Sequence, residues 1–175
     1  MSSRRESLAA LECDAHPSRM RLACPDCFAL RVDDGTHAAR LAVIAAAREL
    51  LGRPFQHRQR SVGGIDCSGV LVLSFRAAGL RVRDLHEYSR GISGSDFVAA
   101  FRERAVEVLP ADAGLPADFV LLKIGSQVEH SAILTERGTL IHASAREGEV
   151  VERTLEPLWR SRVAFVFRMP EFSRG

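Results

Sequence analysis

Cys67 lies in Gly64-Ile65-Asp66-Cys67-Ser68-Gly69-Val70-Leu71-Val72, an abrupt polar turn that carries a cysteine into an apolar run, and His130 and His142 follow far downstream. A thiol and two imidazoles are the parts a cysteine hydrolase needs: a nucleophile, a base that takes and returns its proton, and a group that orients the base. Taken singly, a free cysteine is more often a small buried hydrophobe, and a lone histidine on a strand more often a satisfied structural residue. The three together favour catalysis.

Positioning starts with a helix. Asp66 reads as its N-cap, and the run from Cys67 through Val70, Leu71, Leu73, Phe75 and Ala78 to Gly79 reads as the helix itself. The thiol then meets free N–H groups and the positive end of the helix dipole, and a neighbouring imidazolium would depress its pKa further from about 8.5. Gly63, Gly64 and Gly69 would leave room for substrate to approach the backbone.

The histidines sit on two β-rich runs, His130 to Thr135 and Thr139 to Ser144, joined by Glu136-Arg137-Gly138. A three-residue hairpin loop with glycine in its left-handed third position pairs Thr135 with Thr139, Leu134 with Leu140, Ile133 with Ile141 and Ala132 with His142. His130 then shares a face with His142, on a diagonal of roughly 7–8 Å that two imidazoles span. A loop one residue longer or shorter would part them.

Asp66-Cys67-Ser68-Gly69, His130 opening one strand and Ile141-His142-Ala143 on the next together resemble the NlpC family of papain-like cell-wall peptidases. The resemblance runs from about Thr36 to Pro170. Pro54-Phe55-Gln56-His57-Arg58, the surroundings of Tyr88-Ser89-Arg90, Val150-Val151-Glu152 and Phe167-Arg168-Met169-Pro170 are similar to the branch encoded in tail modules of phages and phage-like gene transfer agents. It implies a peptidoglycan endopeptidase that cuts stem peptides, typically between D-glutamate and diaminopimelate. Cys67 would be the nucleophile, His130 the base and His142 the orienting residue. Peptidoglycan stem peptides are the implied substrate, and tail-tip or hub proteins the implied partners.

Two positions depart from that pattern. Phe55 stands where the family commonly has a tyrosine whose hydroxyl helps the oxyanion site, which leaves the backbone N–H of Cys67 with a second donor from His57 or Gln59. Losing one such donor costs about 10²–10³ in rate. Ala117, in Pro116-Ala117-Asp118, stands where the family usually has glycine, and is expected to be benign because alanine accepts most non-left-handed angles. Asp66 and Ser68 flank the nucleophile as further oxyanion or substrate candidates, and Tyr88 is a candidate wall of the substrate groove. Arg53, Arg58 and Arg60 cluster ahead of Cys67, able to meet stem-peptide carboxylates or simply to sit in solvent.

The 175 residues carry a net charge of +2 with 46% hydrophobic residues, the composition of an ordinary globular chain able to bury one core. No dense basic stripe speaks for nucleic acid, and no apolar run approaches the about 20 residues needed to span a bilayer. Met1-Ser2-Ser3-Arg4-Arg5-Glu6 leads into no signal core, so the expectation is synthesis in a host cytoplasm, with action in the periplasm or cell wall from a virion tail.

Residues 1–35 stand apart as a metal-binding or docking segment ahead of a peptidase domain over 36–175. Cys13, His16, Cys24 and Cys27 form C-x2-H-x7-C-x2-C, two close ligand pairs that suit tetrahedral zinc. An iron–sulfur cluster is the alternative metal, and free thiols or a disulfide the alternatives to any metal.

The remaining pattern gives an α+β class: helices first, then an antiparallel sheet of about five strands. A helix capped by Thr36 runs from His37 to Leu51, with Leu41, Ile44, Ala45 and Leu51 as its apolar positions. A short one runs from Ser95 or Asp96 to Val108. Strands cover Phe119–Ile124, His130–Thr135, Thr139–Ser144, Val150–Leu155 and Val163–Arg168, with a helical turn over 156–159. Cys67 would meet the sheet face that carries His130 and His142. A structural tail-tip protein with little or no hydrolase activity, and a thiol acyltransferase or amidase, are the competing readings.

Overall fold

The computed structural model describes residues 12–13, 16–20, 36–61, 63–82, 94–108, 114–155 and 157–173, the first two segments and Gly94 by backbone only. In chain order the elements are β1 (Glu12–Cys13), β2 (His16–Met20), α1 (His37–Arg48), β3 (Arg60–Ser61), β4 (Gly64–Ile65), α2 (Cys67–Ala77), α3 (Gly94–Arg102), β5 (Val106–Glu107), β6 (Phe119–Ile124), β7 (Gln127–Leu134), β8 (Thr139–Ser144), β9 (Glu149–Thr154), α4 (Pro157–Arg162) and β10 (Val163–Arg168), closed by a 3₁₀ turn at Pro170–Phe172. Six of the described strands form one sheet in the order β5-β10-β6-β7-β8-β9, with every pair antiparallel. The sixth strand is unexpected: the helix expected to reach Val108 stops at Arg102, and Val106–Glu107 pairs instead with the edge of β10.

Alternation along the strands builds two cores. Phe119, Leu121, Ile133, Ile141 and Phe167 face the helices and pack on Val43, Ile44 and Ala47 of α1, Val70, Leu71 and Phe75 of α2, and Phe97 and Phe101 of α3. Val120, Leu122, Ala132, Leu134 and Leu140 face the other way, under Trp159 of α4. The loop between β7 and β8 is the three-residue connection expected, with Gly138 at φ 69°. Among the described residues no helix is long and apolar enough to cross a membrane.

The buried stripe of α1 is Arg40, Val43, Ile44 and Ala47; of the expected positions Ile44 is buried and Leu41 packs on the core half-buried, while Ala45 and Leu51 are exposed. Thr36 precedes the helix but makes no side-chain cap; its hydroxyl accepts from Arg40 Nε at 2.9 Å. Arg40, fully buried, donates from Nη1 to the Pro116 carbonyl at 2.9 Å and to Asp118 Oδ1 at 3.3 Å, and from Nη2 to the Phe172 carbonyl at 3.0 Å. Arg168 grips the same carboxylate with two bonds of 2.8 Å. Leu115 to Asp118 form a type II turn, closed by the Asp118 N–H on the Leu115 carbonyl at 3.0 Å, with Pro116 second and Ala117 third at φ 62°. The expectation for Ala117 is thereby corrected: the third position of that turn is left-handed, the region an L side chain resists.

Candidate active site

The nucleophile loop is held from three directions. Asp66, extended at φ −94° and ψ 177°, caps α2 by accepting from the Gly69 N–H at 2.6 Å. The same Oδ1 accepts from the Ser68 hydroxyl at 3.0 Å, while Oδ2 takes the Arg58 N–H at 3.0 Å and Arg60 Nη1 at 3.3 Å. Arg60 Nη2 then donates to Ser68 Oγ at 2.8 Å. Arg60 is therefore turned inward to the loop, so its guanidinium is committed there rather than to a substrate carboxylate.

The glycines serve the same loop. A Cβ on Gly69 would meet Ile65 Cγ2 at 3.0 Å and the Gln59 carbonyl at 3.1 Å, and one on Gly64 would overlap Gln56. Gly64 and Gly69 thus let the 56–59 turn lie against the start of α2, a correction to the expectation that they clear a path for substrate. His57 and Gln59 are both on that turn with exposed side chains, and the Gln59 carbonyl accepts the Asp66 N–H at 3.1 Å. Phe55 is half-buried and bridges to Ile65.

On the sheet, His130 Nε2 and His142 Nδ1 are 2.8 Å apart, with the rings at 88°. His142 is 1% exposed, and the Trp159 ring lies 5.0 Å from it. The paired residues of β7 and β8 are Ile133 with Ile141 and Leu134 with Leu140, as expected, but Ala132 and His142 have left the ladder. The strands part where the histidines sit. By alternation His130 and His142 belong to the face opposite α2, so the helix does not simply lie on the histidine face.

That parting is what lets the thiol reach the strand. Leu134 exchanges backbone bonds with the β6 side, donating to Asp118 and accepting from Ala117. Alternation turns the Ser131 N–H the other way, into the opening beside β8. The backbone N–H groups of Ser131 and Ser68 lie against the Cys67 sulfur and favour its ionised form, while the Ser131 hydroxyl is buried with no hydrogen-bond partner among the described residues. Nothing in the residue types singled out Ser131; its signal is its place directly after His130.

Burial, and after it the Asp66 carboxylate, push the Cys67 thiol up, and the Ser131 and Ser68 hydrogen bonds only partly oppose them. Burial pushes His130 down to about 3, helped by His142. Burial also pushes His142 down to about 4, against the raising effect of Glu147. Burial and the Asp66 carboxylate thus work against the thiolate that the helix terminus favours, and both imidazoles are pushed toward their neutral forms.

Tyr88, Cys24 and Cys27 lie outside the described residues. Cys13 and His16 are paired across β1 and β2, and among the described residues no cluster of three or more His, Cys, Asp or Glu could hold a metal ion.

The sequence model of the NlpC/P60 family matches residues 52–168. Among solved structures, an NlpC/P60 family protein from Bacillus cereus superposes with a TM-score of 0.58 at 21% identity over 74% of this chain and 40% of its own. An NlpC protein from Trichomonas vaginalis gives 0.56 at 16% identity, over 79% of this chain and 46% of that one. The peptidoglycan hydrolase RipB from Mycobacterium tuberculosis gives 0.54 at 21% identity, over 80% and 69%. The chain thus spans less than half the length of the first two. No curated protein matches it.

Proposed function

The chain belongs to the NlpC/P60 family, and on that premise we propose that it is a cysteine endopeptidase acting on peptidoglycan stem peptides. One observation carries the reading: His130 of β7, bonded to His142 of β8, is followed directly by Ser131, whose backbone N–H bears on the thiol at the start of α2.

In this mechanism the Cys67 sulfur attacks the scissile carbonyl as its proton passes to His130 Nδ1. His142 Nδ1 accepts from His130 Nε2 and keeps the ring aimed. The developing oxyanion draws on backbone N–H groups at the start of α2 and on His57 or Gln59 from the neighbouring turn. Collapse breaks the C–N bond, and the amine leaves with the proton returned by His130. Water, deprotonated by the same imidazole, then hydrolyses the thioester and restores the thiol.

The bond between D-glutamate and diaminopimelate is the proposed target, and a phage or phage-like tail the proposed setting, with tail-tip or hub proteins as partners. Both rest on the residue resemblance. The quartet Cys13, His16, Cys24 and Cys27 enters as a structural zinc site on its spacing, with metal analysis of the purified chain as its test.

Incubation with peptidoglycan sacculi, beside a Cys67→Ala control, tests the reading. Release of stem-peptide fragments by the wild type alone supports it, and mass spectrometry of the new termini names the bond. Intact sacculi under reducing conditions would overturn it and favour a structural role in the tail.

A further inference from the structure

Arg60 touches both neighbours of the nucleophile in one side chain. Its Nη1 meets Asp66 Oδ2 at 3.3 Å and its Nη2 meets Ser68 Oγ at 2.8 Å. The side chains of Arg60 and Asp66 are only 5% and 3% exposed, so solvent screens this pair little. β3, which carries Arg60, pairs with β4 immediately before Asp66, Arg60 opposite Ile65. A buried fork on a strand tied to the loop cannot swing away from Cys67.

We propose that Arg60 is a positioning residue for the Cys67 nucleophile, fixing Asp66 and Ser68 on either side of it and offsetting the carboxylate charge beside the sulfur. The proposal rests on Cys67 being the nucleophile. Asp66 is needed as a cap, because its Oδ1 holds the Gly69 N–H that would otherwise be left unpaired at the helix start. The same carboxylate works against a thiolate one residue away. A guanidinium on its other oxygen keeps the cap while reducing the charge that the sulfur meets. Arginine suits the task better than lysine, because only a planar fork reaches a carboxylate and a hydroxyl in fixed geometry.

The elements around the thiol bring a short roster of charged or titratable groups. Asp66 is on its own loop, His57 and Arg58 on the 56–59 turn, Arg60 on β3, Glu129 and His130 on β7, and His142 on β8. The two imidazoles, His130 half-buried and His142 buried, are pushed down to about 3 and about 4 and stay neutral throughout the alkaline range in which the thiol ionises.

The test is the pH dependence of Cys67 alkylation by iodoacetamide in the full chain, read by mass spectrometry of the Cys67 peptide. Arg60→Gln should raise the midpoint by roughly 0.5–1 pH unit, since a neighbouring charge moves a titration by about that much or more. Arg60→Lys should fall between it and the wild type. Asp66→Asn should lower the midpoint, as removal of the carboxylate beside the sulfur requires. An unchanged or lowered midpoint in a folded Arg60→Gln variant overturns the proposal. Should Arg60→Gln fail to fold, Arg60→Lys decides: a midpoint above the wild type supports the role of the fork, and an unchanged one overturns it. Alkylation needs no substrate, so loss of sacculus cleavage and loss of this shift are separate outcomes.

Discussion

His130 Nε2 lies 2.8 Å from His142 Nδ1 across the opening between β7 and β8, so the proton of one ring fixes that of the other. For His130 to receive the thiol proton at Nδ1, its Nε2 must carry hydrogen and donate to His142. The proton of His142 is then on Nε2, a buried atom with no hydrogen-bond partner among the described residues. Nitrogen-resolved NMR at neutral pH should find both rings neutral and protonated at Nε2. His142→Ala should lower kcat by about 10²–10⁴, because the base loses its aim as well as its acceptor.

Acid should weaken the fold through the same two rings. Their folded-state values, about 3 for His130 and about 4 for His142, lie below an ordinary imidazole's. Above about pH 6.5 neither folded nor unfolded chain protonates them. Below it the unfolded chain takes up protons that the folded one refuses, so stability falls as pH drops from about 6.5 towards 4. Urea midpoints measured across that window should decline, and more shallowly in His142→Gln.

Ala117 offers a backbone test. Relief of a left-handed alanine is worth about 1–2 kcal/mol. The lost buried methyl costs about 0.8 kcal/mol, and the freer unfolded glycine about 0.4–1 kcal/mol. Ala117→Gly should therefore stay within about 1 kcal/mol of the wild type. Ala117→Val, β-branched at a positive φ and in a packed site, should lose at least about 2 kcal/mol in the same denaturation experiment.

Asp118 receives bonds from Arg40 and Arg168 and is itself fully buried. Asp118→Ala leaves Arg40 charged in the core, and chemical denaturation should show a loss of about 3–5 kcal/mol.

What could be read in advance follows period and turn chemistry. β6, β8 and β10 fall on the expected residues, because short apolar runs rich in β-formers and bounded by turn residues are a strong local signal, and Gly138 pinned the hairpin that brings the histidines together. Arg40 was invisible as core, since a charged side chain is buried only when partners distant in sequence satisfy it. β5, two residues long, carries no period to detect. The groups that oppose the thiolate were not legible, because the helix terminus is local while desolvation belongs to the assembled fold. Ala117 was misjudged because the φ of a turn's third position depends on the closure of the whole turn, not on the alanine.

Arg40 also says something about the order of events at the ribosome. Its Nη2 donates to the Phe172 carbonyl, 132 positions later. Helix α1 emerges early with a cation on the side that must become interior, while the carboxylate that neutralises it, at Asp118, and this carbonyl follow much later. The core cannot seal over the guanidinium before residue 172 has left the ribosome, so a chain stalled short of it carries Cys67 without a finished sheet behind it.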